Sequence, residues 1–171
     1  FGADDGVNGY ELWRTNGTST TIVADINLEF GSASSPYGFT AFGDWLYFAA
    51  ADGTHGSELW RTNGTTTTLV ADINVTGGAG SSDPTDFTVL GDYLYFRAND
   101  GTHGSELWRT NGTTTVLVSD INIGNSGADS SDPDHFAALN GYLYFTANDG
   151  THGAELWRTN GTTTVLVSDI N

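Results

Sequence analysis

The chain has no cysteine, no methionine and no lysine. Without cysteine there is neither a disulfide nor a thiolate metal site, and that absence by itself identifies no compartment. Without methionine the chain reads as a processed product or an excised segment. Its basic residues are five arginines against 21 acids, which gives a net charge of −16 over 171 residues. Phosphate binding needs a basic face, so nucleic acid is excluded as an expected partner. An anionic membrane surface is disfavoured on the same ground. No apolar run approaches the ~20 residues that span a bilayer, so membrane insertion is not expected. A disordered acidic tail is poor in aromatics, whereas aromatics here are 12% of the residues.

What is present is a repeat. ELWRTNG places tryptophan at positions 13, 60, 108 and 157, spaced by 47, 48 and 49 residues. Phe1–Asn27, Phe48–Asn74, Phe96–Asn122 and Phe145–Asn171 align without a gap, and all length variation falls in the Gly/Ser/Asp stretches between copies. This predicts one repeat domain over residues 1–171, with units 1–27 (partial), 34–74, 81–122 and 130–171.

Each complete unit predicts four strands. In one copy these are Phe87–Leu90, a tight Gly91-Asp92 turn, Tyr93–Ala98, Glu106–Thr110, a two-residue Asn111-Gly112 hairpin and Val116–Ile121. Both alternating faces of Trp45-Leu46-Tyr47-Phe48-Ala49-Ala50 are apolar. A sheet with one wet face alternates more cleanly. The expected fold is therefore all-β, with tandem four-stranded antiparallel sheets stacked as β-propeller blades. An open superhelical or fibre-like stack of the same sheets is the alternative. The first copy lacks its first strand and most of its second, so the piece reads as a segment of a longer repeat protein, or one whose open edges another copy covers.

ELWRTNGT followed by LVADIN or LVSDIN resembles the ELWxxDGT repeat family of secreted bacterial proteins, over essentially the whole chain. Asn16, Asn63, Asn111 and Asn160 stand where that family usually has Asp, and the hairpin before the LV strand looks shorter. The resemblance implies an extracellular or cell-surface location and an architecture, more than an activity.

Several side chains invite chemical readings. Trp60, Trp108 and Trp157 are either sugar platforms or packing anchors between sheets. His55, His103 and His152 in DGTHG suggest ligands or bases. The first copy, however, has Asn8 at that place, which fits a turn better. This hairpin is similar to the Asp-box turns of sialidase propellers, but the spacing to Trp differs and no activity follows. Asp25, Asp72, Asp120 and Asp169, read as lying inside a half-buried strand, need hydrogen bonds or a cation. The bland reading is a carboxylate accepting N–H groups from the next loop. The sharper one is calcium, with Asp83, Asp86, Asp129, Asp132 and Asp134 as further oxygen donors. No EF-hand pattern supports it, and the loop before Pro36 has no Asp. NGT is also a formal glycosylation acceptor that doubles as a turn. Arg97, His135, Glu29 and Tyr37 are unrepeated and form no recognisable catalytic set.

The sequence thus predicts a non-catalytic extracellular structural or adhesive protein, needing no cofactor unless calcium. Its partners would be surface glycans, other proteins or copies of itself. The alternative is a lectin with equivalent sites between blades.

Overall fold

In a computed structural model of the chain, residues 1–124 and 129–170 are described. Residues 125–128, in the third connecting loop, and Asn171, which closes the fourth copy, lie outside them. The described residues form fifteen strands and no helix. The chain divides into two compact units, Phe1–Asp83 and Pro84–Asn171, each holding two antiparallel sheets.

In the first unit, sheet 1 contains β1 (Gly2–Asp4), β2 (Tyr10–Thr15) and β3 (Thr20–Ala24). Sheet 2 contains β4 (Tyr37–Phe42), β5 (Trp45–Ala51), β6 (Ser57–Thr62) and β7 (Thr67–Ala71). In the second unit, sheet 3 contains β8 (Thr85–Leu90), β9 (Tyr93–Asn99), β10 (Ser105–Thr110) and β11 (Thr115–Ser119). Sheet 4 contains β12 (Asp134–Leu139), β13 (Tyr142–Asn148), β14 (Ala154–Thr159) and β15 (Thr164–Ser168). Strands pair in chain order and no sheet closes into a barrel. Sheet 1 lacks a counterpart of β4, as its truncated copy implies.

Alternation along each strand puts apolar residues on both faces; in sheets 2 and 3 both faces are buried, whereas one face of sheet 1 and one of sheet 4 keep large apolar residues exposed, Phe1 and Ile170 among them. In the first unit Leu12 and Ile26 of the sheet 1 repeat pack with Phe48 and Ala50 of sheet 2, and the Trp60 ring closes the cluster. In the second unit Tyr95, Leu107 and Ile121 meet Leu143, Phe145 and Ala147, with Trp157 beside them. Each fully buried large apolar side chain contributes about 1.5–3 kcal/mol, so these seams dominate the stability of each pair of sheets. We call the side of a sheet bearing Leu12 or Leu107 its front and the side bearing Phe48 or Phe145 its back.

Two local expectations need correction. The NG hairpin is a four-residue connection: β10 ends at Thr110 and β11 begins at Thr115. Only Gly112 is left-handed, at φ 85°. Asn111 instead accepts the amides of Thr113 and Thr114 on Oδ1, which is an Asx turn rather than a tight primed turn. The second correction concerns Asp25, Asp72, Asp120 and Asp169. Each lies one residue past the end of the fourth strand rather than inside it.

Candidate functional site

The carboxylate that organises each loop is the glutamate of ELWR, not the aspartate of the DIN segment. Glu11, Glu58 and Glu106 are fully buried on the third strand. Glu106 accepts the amides of Ile121 (3.0 Å) and Ser131 (2.7 Å) and the Ser131 hydroxyl (2.5 Å). Glu58 does the same with Ile73, Asn74 and Ser82, and Glu11 with Ile26 and Ser34. One carboxylate thus ties the exit of the fourth strand to the entry of the next repeat. Burial raises the Glu58 carboxyl above its usual range and pushes Glu106 up to about 7, against the hydrogen bonds that favour the charged form. A second tie comes from the asparagine of DIN: Asn74 and Asn122 donate Nδ2 to the carbonyls of Ser81 (2.9 Å) and Ser130 (3.0 Å). A Glu set between small or polar residues and Leu-Trp on a two-sided strand is the signal that could have identified the first tie.

The DGTHG segment is a turn with an internal lock. Asp52, Asp100 and Asp149 each accept two backbone amides on Oδ1 and meet a His Nδ1 on Oδ2 at 2.7–2.8 Å. In the first copy Asn8 donates its Nδ2 to Asp5 Oδ2 at 2.8 Å, which reproduces the contact without an imidazole. The Asp partner raises the three His, and the hydrogen bonds hold Asp149 down at about 2. Three of the four arginines of ELWR stack on aromatics of the second strand. Arg61 lies 4.2 Å from the Trp45 ring centre, Arg109 4.2 Å from Tyr93 and Arg158 4.8 Å from Tyr142.

The tryptophans are half-buried in every copy. Trp157 donates Nε1 to the Ala147 carbonyl at 3.0 Å. Among the described residues Trp13, Trp60 and Trp108 have a buried Nε1 with no partner. Beside Trp157 lies a polar cavity of about 650 Å³, lined also by Asn122, Asp129, Asp149 and Thr151. A smaller cavity of about 260 Å³, at Tyr93, Tyr95, Arg109 and Asn160, sits at the opposite end of the same strands.

The proposed metal ligands are dispersed in other roles. Asp83 and Asp132 are exposed, in left-handed conformations at φ 46° and 44°. Asp86 accepts from Thr85 (2.8 Å) and lies 3.7 Å from Arg97, and Asp134 lies 3.7 Å from His135. Asp129 lines the Trp157 cavity. Among the described residues no three His, Asp or Glu side chains are grouped to hold a metal.

One arrangement escaped sequence reasoning. The first strands carry a register shift between Tyr37 and Thr40, Thr85 and Thr88, and Asp134 and Ala137. The residue at the bulge is left-handed each time: Gly38, Asp86 or His135. A bulge re-aims its side chains. In the second unit it gathers Thr85, Asp86 and Arg97 in sheet 3, and Asp134, His135 and Thr146 in sheet 4. Strands β8 and β12, which carry them, are neighbours.

No family model and no curated protein matches the chain. Among solved structures it is similar to the computationally designed Ika8 protein at 13% identity and a TM-score of 0.47, over 97% of this chain and 46% of that one. It is also similar to the computationally designed Ika4 protein at 18% identity and a TM-score of 0.43, over 79% and 72%. The chain thus spans less than half the length of the Ika8 chain.

Proposed function

We propose that the chain is a non-catalytic, extracellular or cell-surface structural repeat protein that adheres to partners or to itself through many equivalent contacts. The observation that carries this reading is the placement of the repeated polar side chains. Glu58 and Glu106 bind loop amides, the His rings bind their turn Asp, and the Arg groups stack on aromatics. Catalysis needs different groups converging on one reacting atom, and a repeat supplies the same group to each sheet. The acidic, lysine-free, turn-rich composition and the resemblance to secreted ELWxxDGT repeats support the location. Weak contacts repeated along one chain gain by avidity.

A lectin is the second reading, and the cavity beside Trp157 favours it. Its 650 Å³ lies within the range of about 300–1,000 Å³ typical of small-ligand sites. It combines one aromatic ring with Asn, Asp and Thr side chains, the set a sugar ring with hydroxyls requires. Calorimetric titration with a panel of glycans separates the two. Saturable sugar binding that is lost in Trp157→Ala supports the lectin. Silence across the panel, with concentration-dependent self-association, supports the structural reading.

A further inference from the structure

The front of sheet 3 and the front of sheet 4 carry the same residues in different surroundings. Ile121 is 8% exposed on sheet 3, and its counterpart Ile170 on sheet 4 is 74% exposed. Tyr95 and Leu107 are fully buried, whereas Tyr144 and Leu156 are only half-buried. Leu90 is half-buried, and its counterpart Leu139 is 59% exposed. What covers the sheet 3 face is the back of sheet 4, through Leu143, Phe145, Ala147 and Trp157. In sheet 1 the residues aligned with Phe145, Ala147 and Trp157 are Phe1, Ala3 and Trp13, and Phe1 is 50% exposed.

The hairpins give an independent sign of the same complementarity. Arg14 donates Nη1 to the Gly64 carbonyl of the next hairpin at 2.9 Å. Arg109 lies so close under Gly161 that a Cβ there would overlap its Nη1. Gly17 has the same left-handed backbone, at φ 87°, yet open space surrounds its Cβ position. Sheet 4 supplies the matching arginine, Arg158, stacked on Tyr142.

We infer that the front of sheet 4 binds the back of sheet 1 of a second copy, head to tail, with Arg158 reaching the Gly17 hairpin of that copy. This inference rests on the self-association reading above and names its surface. The contact would repeat seams that already hold within each unit, so the shape complementarity is built into the repeat. It is heterologous, pairing two different faces rather than one face with itself.

The test uses the 171-residue chain in analytical ultracentrifugation, with circular dichroism to check that variants keep the β-sheet signal. The parent is expected to associate with concentration. Val167→Asp with Ile170→Asp blocks one face, and Phe1→Asp blocks the other. Each is expected to weaken association at least about a hundredfold, as loss of a central apolar anchor does. An equimolar mixture of the two variants is expected to form a one-to-one dimer, because one intact pair of faces remains. Undiminished association of the doubly substituted chain overturns this surface and leaves self-association standing. Failure of the mixture to pair overturns the head-to-tail arrangement. A parent that stays monomeric at every concentration overturns both this inference and the reading beneath it.

Discussion

The third strand of the repeat reads YELWRT, SELWRT, SELWRT and AELWRT, whereas the first strand reads YGFTAF, TDFTVL and DHFAAL. The two regions do different work. In the third strand Glu, Leu and Thr are buried in sheets 2 and 3, with Trp and Arg partly so. The Glu groups there bind the amides of the connecting loop, and the Thr hydroxyls donate to the hairpin that follows their own strand. In the first strand the varied residues sit at a bulge, with His135 well exposed and Asp134 partly so. Uniformity therefore marks where sheets hold one another, and variation marks where side chains reach solvent. A partner that distinguishes one repeat from another has the bulge and the variable connecting loops to read.

The largest effect is expected from the uniform region. Glu58→Ala leaves the amides of Ile73, Asn74 and Ser82 and the Ser82 hydroxyl without their shared acceptor inside a buried seam. Each orphaned buried donor costs about 1–3 kcal/mol, so with partial relaxation the loss is about 3–5 kcal/mol. Glu58→Gln keeps one acceptor but turns an N–H toward a backbone donor, and should fall between parent and Ala. Urea titration followed by tryptophan fluorescence reads both. By contrast, Arg97→Ala at the bulge should stay within about 0.5 kcal/mol of the parent. If the two substitutions destabilise equally, the division between the regions fails.

The architecture was legible in the sequence because two-sided apolar strands and a fixed repeat length leave few packings open. Trp45 to Ala50 predicts a sheet covered on both faces, and the Gly91-Asp92 pair forms the predicted turn between Leu90 and Tyr93. The loop chemistry was less legible. Asp72 and Glu58 are both plausible acceptors in sequence. Which one the loop amides find depends on the third dimension: Asp72 lies just past the strand, whereas Glu58 is held inside the seam. The bulge was hard to see because the residue that carries it changes from Gly38 to Asp86 to His135, and the Pro-x-x-Phe frame shared by the three copies does not by itself announce an extra residue. It took the register to show that Arg97 stands opposite Thr85 and Thr146 opposite Asp134. The cavity at Trp157 likewise needs the DIN loop and the DGT turn brought together.

A smaller effect separates two glycines that share a backbone conformation. Gly17 and Gly161 both have φ of 87°. Gly17→Ala meets only the left-handed strain, about 1 kcal/mol. At Gly161 the new Cβ also meets the Arg109 guanidinium and the Tyr95 hydroxyl, and overpacking adds about 1–2 kcal/mol. Each is measured on dilute protein, on the transition of the unit that carries it. Tyr95→Phe removes the hydroxyl and should recover part of the Gly161→Ala loss. Equal losses at the two glycines would show that the arginine does not press on the hairpin.

The smallest expected effect concerns the locked turn, where the first copy already holds the answer. Asn8 makes the contact to Asp5 that His103 makes to Asp100, at 2.8 and 2.7 Å. His103→Asn at neutral pH should therefore change stability by less than about 0.5 kcal/mol. Its influence should lie in the pH dependence. His55, His103 and His152 are raised by their Asp partners, so their contribution is complete below about 6.5 and fades as pH rises through the raised value. The partner Asp groups are lowered, so they lose theirs only in acid, for Asp149 on approach to about 2. Burial lifts Glu106 to about 7, so its ionisation between the ordinary carboxyl range and that value also makes the fold less stable as pH rises. Both slopes point the same way, and the second unit should be most stable in mild acid. Replacing all three His by Asn removes one slope and leaves that of the raised Glu58 and Glu106 carboxyls. Urea midpoints measured from pH 5 to 8 should then fall less steeply than in the parent. An unchanged slope in the triple variant would mean that the imidazoles are not protonated by their turns, and that the seam carboxylates alone set the pH response.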